Sequence, residues 1–133
     1  MTDFTVTVSA GSLRADPDGA LVLPHAWTDK GVVTDGAATG AHVLHLAVAL
    51  CVLNDTFREG RQLGVPVQGV RVVATGGFDE GWGSTGITYS VEVDSGAAPE
   101  DVARLVAVVD EVAEIPRAIR AGADVRRVER VAT

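Results

Sequence analysis

The amino-acid sequence predicts an α+β fold built from one domain that spans residues 1–133. Residues 4–9 alternate strictly between apolar and polar side chains, as in a half-buried strand. Residues 41–62 hold a long apolar run with helical spacing, and two more strand patterns follow before a second helical pattern. Strands and helices thus fall in separate runs of the chain, which is typical of α+β proteins.

The segment before the long helix predicts short strands joined by turns. Asp16-Pro17-Asp18-Gly19 has the chemistry of a turn, because proline presets φ and glycine accepts a positive φ. We therefore expect residues 21–23 to return as the second strand of a hairpin with residues 4–9. Residues 24–40 predict a loop that contains one more short strand at 31–34.

Apolar side chains cover most of the circumference in the first half of the helix at 41–62, which predicts a buried central helix. Residues 55–62 are polar, so we expect the second half to emerge into solvent. The longest apolar run, at 46–53, is shorter than the 18 or so residues of a membrane span. We therefore expect no membrane association.

Two strand patterns follow the central helix, at residues 70–74 and 86–94, and the glycine-rich segment between them predicts a hairpin. That segment, GGFDEGWGSTG, lacks the pattern of a phosphate-binding loop. We expect no cofactor there or elsewhere in the chain.

Two helices and a last strand are predicted at the C-terminal end. Pro99 and the acidic residues after it indicate a helix start, and apolar residues keep helical spacing up to residue 113. Pro116 should break or restart the helix, with a short piece at 117–121. Residues 125–131 alternate imperfectly and are predicted as the last strand.

The charge and cysteine content exclude several classes of function. The formal net charge is −7, and acidic residues interrupt the arginine-rich C-terminal segment, so we expect no nucleic-acid partner. One cysteine excludes an intramolecular disulfide and a multi-cysteine zinc site. The first ten residues show no secretory pattern, so we expect a cytoplasmic location, where a thiol stays reduced.

The mean hydropathy of +0.23 is high for a small protein. A large interface with a second copy of the chain would explain it, since dimer interfaces resemble a core cut in half. The abundance of alanine and valine is the alternative explanation.

Cys51 shares a face of the central helix with Asn54, Asp55 and Arg58. A reactive thiol needs partial access and a nearby positive charge, which Arg58 could supply. Asp55 would raise the pKa of the thiol, or would instead pair with Arg58. The alternative is that Cys51 is a small buried hydrophobic residue and that its polar neighbours form a hydrated helix end.

His42 and His45 lie three positions apart and face a direction offset from Cys51. The sequence contains no HExxH or CxxC pattern, so we expect no metal ion. We expect instead that a histidine near the helix start forms a hydrogen bond with a neighbouring loop.

The order of these elements resembles the OsmC family of osmotically inducible and organic-hydroperoxide-resistance proteins. The resemblance rests on the central helix with a cysteine in its middle and on the segment GVPVQGVRV after it (64–72). It rests also on the hairpin and proline-opened helix, and on the ending IPRAIRAGADVRRVE (115–129). It covers nearly the whole chain. It implies antiparallel sheets wrapped around long central helices in an intertwined homodimer.

The resemblance also implies a chemistry for Cys51, which matches the position of the peroxidatic thiol. In the family that thiol attacks the O–O bond of an organic hydroperoxide and becomes a sulfenic acid, which a second cysteine resolves. An arginine and a glutamate assist the thiol. Ile115 stands where the resolving cysteine is expected and Ala41 where the glutamate is expected. Arg14 is the nearest candidate for the arginine.

Three hypotheses follow. In the first, the chain is a single-cysteine peroxidase of oxidative-stress defence, with Arg14 or Arg58 stabilising the Cys51 thiolate and an external thiol as reductant. In the second, the chain has lost this chemistry and binds or converts a small apolar organic ligand in a pocket at the dimer interface. In the third, it is a structural dimer with an inert thiol. The residues expected to line the pocket of the second hypothesis are His42, His45, Cys51, Asn54, Asp55 and Arg58.

Overall fold

The computed structural model describes residues 3–35 and 39–130, which form one antiparallel sheet and three helices. The α+β class predicted from the sequence is confirmed. The strands are β1 (Phe4–Gly11), β2 (Leu21–Leu23), β3 (Val32–Thr34), β4 (Gly69–Phe78) and β5 (Ser84–Asp94). The helices are α1 (Gly40–Leu63), α2 (Pro99–Val112) and α3 (Glu114–Ala121).

β1 lies at the centre of the sheet, whose strand order is β2-β3-β1-β4-β5. It pairs with β4 along its whole length. Val6, Val8 and Ala10, which lie on one face of β1, are fully buried, as the alternation in the sequence predicts. The core lies between this face of the sheet and α1, and α2 and α3 contact α1 in turn.

The predicted hairpin between β1 and residues 21–23 is wrong. These residues do form β2, but they pair with β3, from Leu21 opposite Thr34 to Leu23 opposite Val32. Both edges of β1 are already paired, one with β3 and the other with β4. The chain between β1 and β2 therefore passes β3 and places β2 at the outer edge. The short strand expected within 31–34 is confirmed as β3.

β4 and β5 form the predicted hairpin, and both strands are longer than the sequence indicated. The side chain of Asp79 holds the turn, because its Oδ1 accepts hydrogen bonds from the backbone N–H groups of Gly81 (3.0 Å) and Gly83 (2.8 Å). Trp82 in this turn has a φ of 63°, which is uncommon for a residue other than glycine. The glycine-rich segment thus serves as a hairpin turn.

α1 supplies the helical side of the core. Thr39 caps its first turn by accepting a hydrogen bond from the backbone N–H of His42, and Gly64 ends it in the left-handed conformation. By length and apolar composition this helix could cross a membrane. Half of its most apolar stretch is nevertheless buried within the fold, as in the core helix of a globular domain.

The prediction that residues 55–62 emerge into solvent is wrong for residues 55–60, which are buried or half-buried, and holds for Arg61 and Gln62, which are exposed. The loop after α1 folds back over this half of the helix, and Gly60 makes the close approach possible. A Cβ at Gly60 would lie only 2.7 Å from Cγ2 of Val67. The residues of this half that are buried are Asp55, Thr56, Phe57 and Gly60.

α2 and α3 are joined at Ala113, which has an extended conformation. α2 begins at Pro99, as predicted, and packs against α1. Pro116 lies in the first turn of α3, where the missing N–H of proline breaks no helical hydrogen bond. The predicted break at Pro116 thus occurs three residues earlier, at Ala113, and α3 turns back onto α1.

The last strand predicted at 125–131 is not formed by residues 125–130, and residue 131 lies outside the described residues. Val125 and Val128 are 91% and 74% exposed. Apolar residues recur here every three positions rather than every two, so an extended conformation would place them on opposite faces. In this chain the segment therefore has no apolar face to bury against the sheet.

Candidate functional site

The Cys51 side chain lies partly buried in the middle of α1 and faces the start of α3. Its Sγ is 3.4 Å from Oε2 of Glu114 and 3.8 Å from Oδ2 of Asp55, and the S–H can donate to either carboxylate. The backbone N–H of Ile115 donates to Sγ at 3.5 Å. The thiol thus lies between two helices, each of which contributes one carboxylate.

Arg58 forms ion pairs with the carboxylates around the thiol. Its guanidinium lies 3.1 Å from Oδ2 of Asp55 and 3.2 Å from Oε1 of Glu114, and it also pairs with Glu59 at 3.2 Å. Within residues 3–35 and 39–130, no arginine, lysine or histidine side chain forms a hydrogen bond with Sγ of Cys51. The predicted pairing of Asp55 with Arg58 is therefore present, whereas the charge of Arg58 is directed at carboxylates.

This environment keeps the thiol protonated. Burial raises the pKa of Cys51 to about 11, the N–H of Ile115 opposes the shift, and the charges of Asp55 and Glu114 add to it. The thiolate is therefore a minor form at pH 7. Reactive cysteines lie in electropositive surroundings, so this site has the opposite character.

The two carboxylates respond to the site in opposite ways. Burial raises the pKa of Asp55, whose side chain is 1% exposed. A hydrogen bond from its own backbone N–H lowers the pKa of Glu114 to about 2, and the bonds from Cys51 and Arg58 contribute. Glu114 is 61% exposed, so solvent weakens each of these interactions. The raised pKa of Cys51 and the lowered pKa of Glu114 both fit a neutral thiol that donates a hydrogen bond to an ionised carboxylate.

The thiol and the two carboxylates form a possible ligand set for a metal ion, because one ligand atom from each of Cys51, Asp55 and Glu114 lies within 4.8 Å of the others. The guanidinium of Arg58, however, already pairs with both carboxylates. Arg58 therefore supplies, next to the two carboxylates, the positive charge that a metal ion would otherwise provide.

Cys51, Asp55, Arg58 and Glu114 together form the thiol cluster, and Asn54 lies at its edge. Its Nδ2 donates to Oδ1 of Asp55 at 3.2 Å, which leaves Oδ2 of Asp55 to Arg58 and the thiol. Of the residues that the sequence singled out, Cys51, Asn54, Asp55 and Arg58 are therefore brought together.

The two helix-start histidines lie apart from the thiol, among aromatic side chains. The ring of His42 forms a hydrogen bond with Oγ1 of Thr39 at 2.8 Å. His45 is fully buried, and its Nδ1 is 2.6 Å from the carbonyl oxygen of Ala41. Both rings pack against Phe4, and His45 also packs against Phe78. Six residues of helix, about 9 Å of rise, separate His45 from Cys51.

Arg14 follows β1, where its backbone N–H donates to the carbonyl oxygen of Gly11 at 3.0 Å. Its side-chain Nε is buried and has no hydrogen-bond partner among the described residues. No hydrogen bond joins Arg14 to Cys51 within the same part of the chain. The arginine at the thiol cluster is thus Arg58.

A cavity of about 300 Å³ lies between α1, β5 and α3, next to the thiol cluster. Val48, one turn before Cys51, forms part of its wall, and α3 contributes Pro116 and Ile119. Cys51 itself does not line the cavity. The two sites share α3, whose first two residues contact the thiol and whose next turns line the cavity.

Three polar side chains meet beside this cavity. The O–H of Tyr89 donates to Oδ1 of Asp110, and Arg120 donates to the same oxygen at 2.9 Å and to the backbone carbonyl of Asp110 at 3.2 Å. Burial and the hydrogen bond to Asp110 raise the pKa of Tyr89, so its phenol is neutral. Tyr89 and Arg120 line the cavity, and Asp110 holds both in place.

Sequence reasoning missed Glu114, Tyr89 and Arg120. Glu114 directly precedes Ile115, which stands where the resemblance expects the resolving cysteine. This proximity was the one signal in the sequence that could have placed Glu114 near the thiol. Tyr89 lies in the strand predicted at 86–94 and Arg120 in the short helix predicted at 117–121, and nothing in their spacing indicates that both reach Asp110.

No family model matches this chain, and no curated protein matches it. Solved structures do match. An OsmC-like hydroperoxide resistance protein from Jannaschia sp. CCS1 is 12% identical, with a TM-score of 0.56, over 98% of this chain and 95% of that one. An OsmC-like protein from Mycoplasma pneumoniae is also 12% identical, with a TM-score of 0.57, over 86% of this chain and 85% of that one. The OsmC-like fold expected from the sequence is confirmed.

Proposed function

We propose that this OsmC-fold protein binds a small, largely apolar organic molecule in the cavity between α1, β5 and α3, and that it does not turn over hydroperoxides. The cavity volume of about 300 Å³ lies at the lower end of the range for small-molecule sites. Its wall is mostly aliphatic, with a few polar groups, which is the usual composition of such sites.

The observation that carries this proposal is the pairing of the Cys51 thiol with carboxylates rather than with a cation. A peroxidatic cysteine attacks as the thiolate, and a neighbouring positive charge favours that form. Here Glu114 and Asp55 favour the protonated form, and Arg58 is engaged by both of them. Ile115, at the position where the resemblance expects the resolving cysteine, separates this chain from a two-cysteine peroxidase.

A single-cysteine peroxidase is the second candidate, favoured by the N–H that Ile115 donates to Sγ, since this bond would stabilise a thiolate. The thiolate would attack the terminal oxygen of the hydroperoxide and break the O–O bond, which yields a cysteine sulfenic acid and an alkoxide that takes up a proton to become the alcohol. An external thiol would then reduce the sulfenic acid. The Jannaschia protein is described as a hydroperoxide resistance protein. For this chain, hydroperoxide reduction is the second candidate function.

A homodimer is part of the proposal. Val43 near the start of α1 is 49% exposed, and Ile115 on α3, whose N–H contacts the thiol, is 38% exposed. β5 forms an edge of the sheet, and the exposed valines at 125 and 128 lie on a segment with no strand partner among the described residues. A second copy would cover such surfaces. The cytoplasmic location stays a prediction from the sequence.

Thermal unfolding with a panel of eight-carbon compounds tests the binding function. A ligand at ten times its dissociation constant stabilises the folded state by about 1.4 kcal/mol, which raises the melting temperature by about 4–6 °C for a domain of this size. Ile119→Trp should fill the cavity and abolish the shift. Ala118→Trp, which adds the same ring at an exposed position of α3, should preserve it. A shift that survives Ile119→Trp would contradict binding in this cavity.

A further inference from the structure

The chemistry of the cavity wall indicates which ligands it accepts. We propose that the cavity takes small apolar molecules that carry an anionic head group, a carboxylate in particular, and that Arg120 binds the head group. This inference rests on the proposed binding function and adds a charge preference to it.

Arg120 carries the formal charge of the cavity wall. Among the described residues that line the cavity, the others are aliphatic, aromatic or neutral polar, and none is acidic. Tyr89 remains a neutral phenol because burial and Asp110 raise its pKa. A ligand whose body fills the cavity therefore meets one charged side chain, Arg120, whose guanidinium is paired with Asp110 outside the cavity wall.

The guanidinium of Arg120 retains donors for a ligand. Arginine has five N–H donors, and the bonds to Oδ1 and to the backbone carbonyl of Asp110 use two of them, which leaves three. The side chain is 53% exposed, so a head group at the mouth of the cavity can reach it. The planar fork of arginine suits a carboxylate, which accepts two parallel N–H bonds.

Asp110 positions Arg120. Asp110 does not line the cavity, and the O–H of Tyr89 donates to the same oxygen that accepts from Arg120. The hydrogen bond from Tyr89, together with the hydrogen bond and the charge of Arg120, lowers the pKa of Asp110, so its carboxylate stays ionised at neutral pH. The guanidinium is thus held in one place before a ligand arrives, which reduces the entropy lost on binding.

The apolar part of the ligand would contact the opposite wall. Val48 from α1, Ile87 from β5, and Pro116 and Ile119 from α3 form this wall. A short alkyl or aromatic group gains free energy by leaving water there, while its carboxylate stays at the half-exposed end beside Arg120.

Binding of octanoate, 1-octanol and octylamine, which differ in the head group, tests the inference by isothermal titration calorimetry at pH 7 below the micelle concentration of octanoate. Octanoate should bind at least about ten-fold more tightly than 1-octanol, because a hydrogen bond to a charged group contributes more than a neutral one. Octylamine should bind most weakly, since its charge repels Arg120.

Arg120→Gln should reduce the octanoate preference to about one, measured as the ratio of the octanoate and 1-octanol affinities of the same variant. Arg120→Lys keeps the charge without the fork and should retain part of the preference, even if loss of the Asp110 contacts destabilises the glutamine variant. Arg117→Gln, at an exposed position of the same helix that does not line the cavity, should behave as wild type.

Two results would overturn different parts of the account. Equal affinity of wild type for octanoate and 1-octanol, or a preference that survives Arg120→Gln, would overturn the head-group inference while cavity binding stands. Failure of all three compounds to bind would overturn the proposed binding function together with the inference.

Discussion

Oε2 of Glu114 lies 3.4 Å from Sγ of Cys51, although 63 positions separate the two residues in the chain. The extended conformation of Ala113 ends α2 and turns α3 back toward α1, so that the first residue of α3 meets the middle of α1. The thiol therefore donates a hydrogen bond to a carboxylate, whereas a peroxidatic cysteine would lie next to a positively charged group. This one contact separates the site from a typical thiolate site.

The reactivity of the thiol should follow from its raised pKa. At pH 8, iodoacetamide should alkylate native Cys51 about 100-fold more slowly than the urea-unfolded chain, because the pKa rises from 9.0 to about 11 on folding. Mass spectrometry of the intact protein gives both rates. A native rate equal to that of the unfolded chain would contradict the environment described for Sγ.

The carboxylates should account for part of this protection. Glu114→Gln and Asp55→Asn each remove a negative charge beside Sγ, so both should lower the pKa of Cys51 and speed alkylation of the native protein. Glu111→Gln, at an exposed position of α2, should leave the rate unchanged. If Glu114→Gln and Asp55→Asn react at the same rate as Glu111→Gln and wild type, burial alone accounts for the slow alkylation of Cys51.

Removal of Arg58 should destabilise the fold. Arg58→Met leaves the buried Asp55 carboxylate without its cation, and we expect the free energy of unfolding to fall by about 2–3 kcal/mol. The loss stays below the ~3–5 kcal/mol of a fully buried pair because Arg58 is 32% exposed. Urea unfolding measures it.

Arg71→Met is the matched control for Arg58→Met. It removes an ion pair with Glu92 at 3.9 Å in which both side chains are more than half exposed, and it should cost less than about 1 kcal/mol. Equal losses for the two variants would show that the Asp55 pair behaves as a surface pair.

The contribution of Glu114 to stability should depend on pH with a defined sign. Its pKa falls from 4.5 to about 2 on folding, so the ionised carboxylate favours the folded state above pH 4.5, and this contribution is lost as the pH falls toward 2. The melting temperature of wild type should exceed that of Glu114→Gln at pH 6, and the difference should vanish near pH 2. A difference that grows toward low pH would contradict the assignment.

A ligand in the cavity should protect the thiol, because both sites share α3. Octanoate between α1 and α3 would contact Pro116 and Ile119 and stabilise the packed position of α3, which holds Glu114 and the Ile115 N–H at the thiol. Alkylation of Cys51 should therefore slow as octanoate saturates the protein. An unchanged rate at saturation would indicate that the two sites are independent.

The central helix and the β4–β5 hairpin are predictable from the sequence because their signals are local. The apolar spacing of 41–62 and the alternation of 86–94 each define an element that the structure confirms within a few residues. Pro99 and the break near Pro116 are local signals of the same kind.

The errors arise where a partner distant in the chain decides the outcome. β2 has three residues, too few to specify which strand it joins, and the occupied edges of β1 direct it to β3. Residues 55–62 appear polar in sequence, yet Arg58 pairs with Asp55, and Gly60 allows Val67 to cover the helix. Glu114 reaches the thiol only because α3 reverses, which no spacing in the sequence encodes.

Sulfenic-acid trapping tests the central claim, that Cys51 stays protonated and does not reduce hydroperoxides, most directly. The native protein and Cys51→Ser would be exposed briefly to t-butyl hydroperoxide at pH 7 with a trap, and their intact masses compared. We expect an unmodified thiol in the native protein and trapping only after unfolding at higher pH, where the thiolate forms. Fast trapping in the native protein that Cys51→Ser abolishes would contradict it and establish a single-cysteine peroxidase.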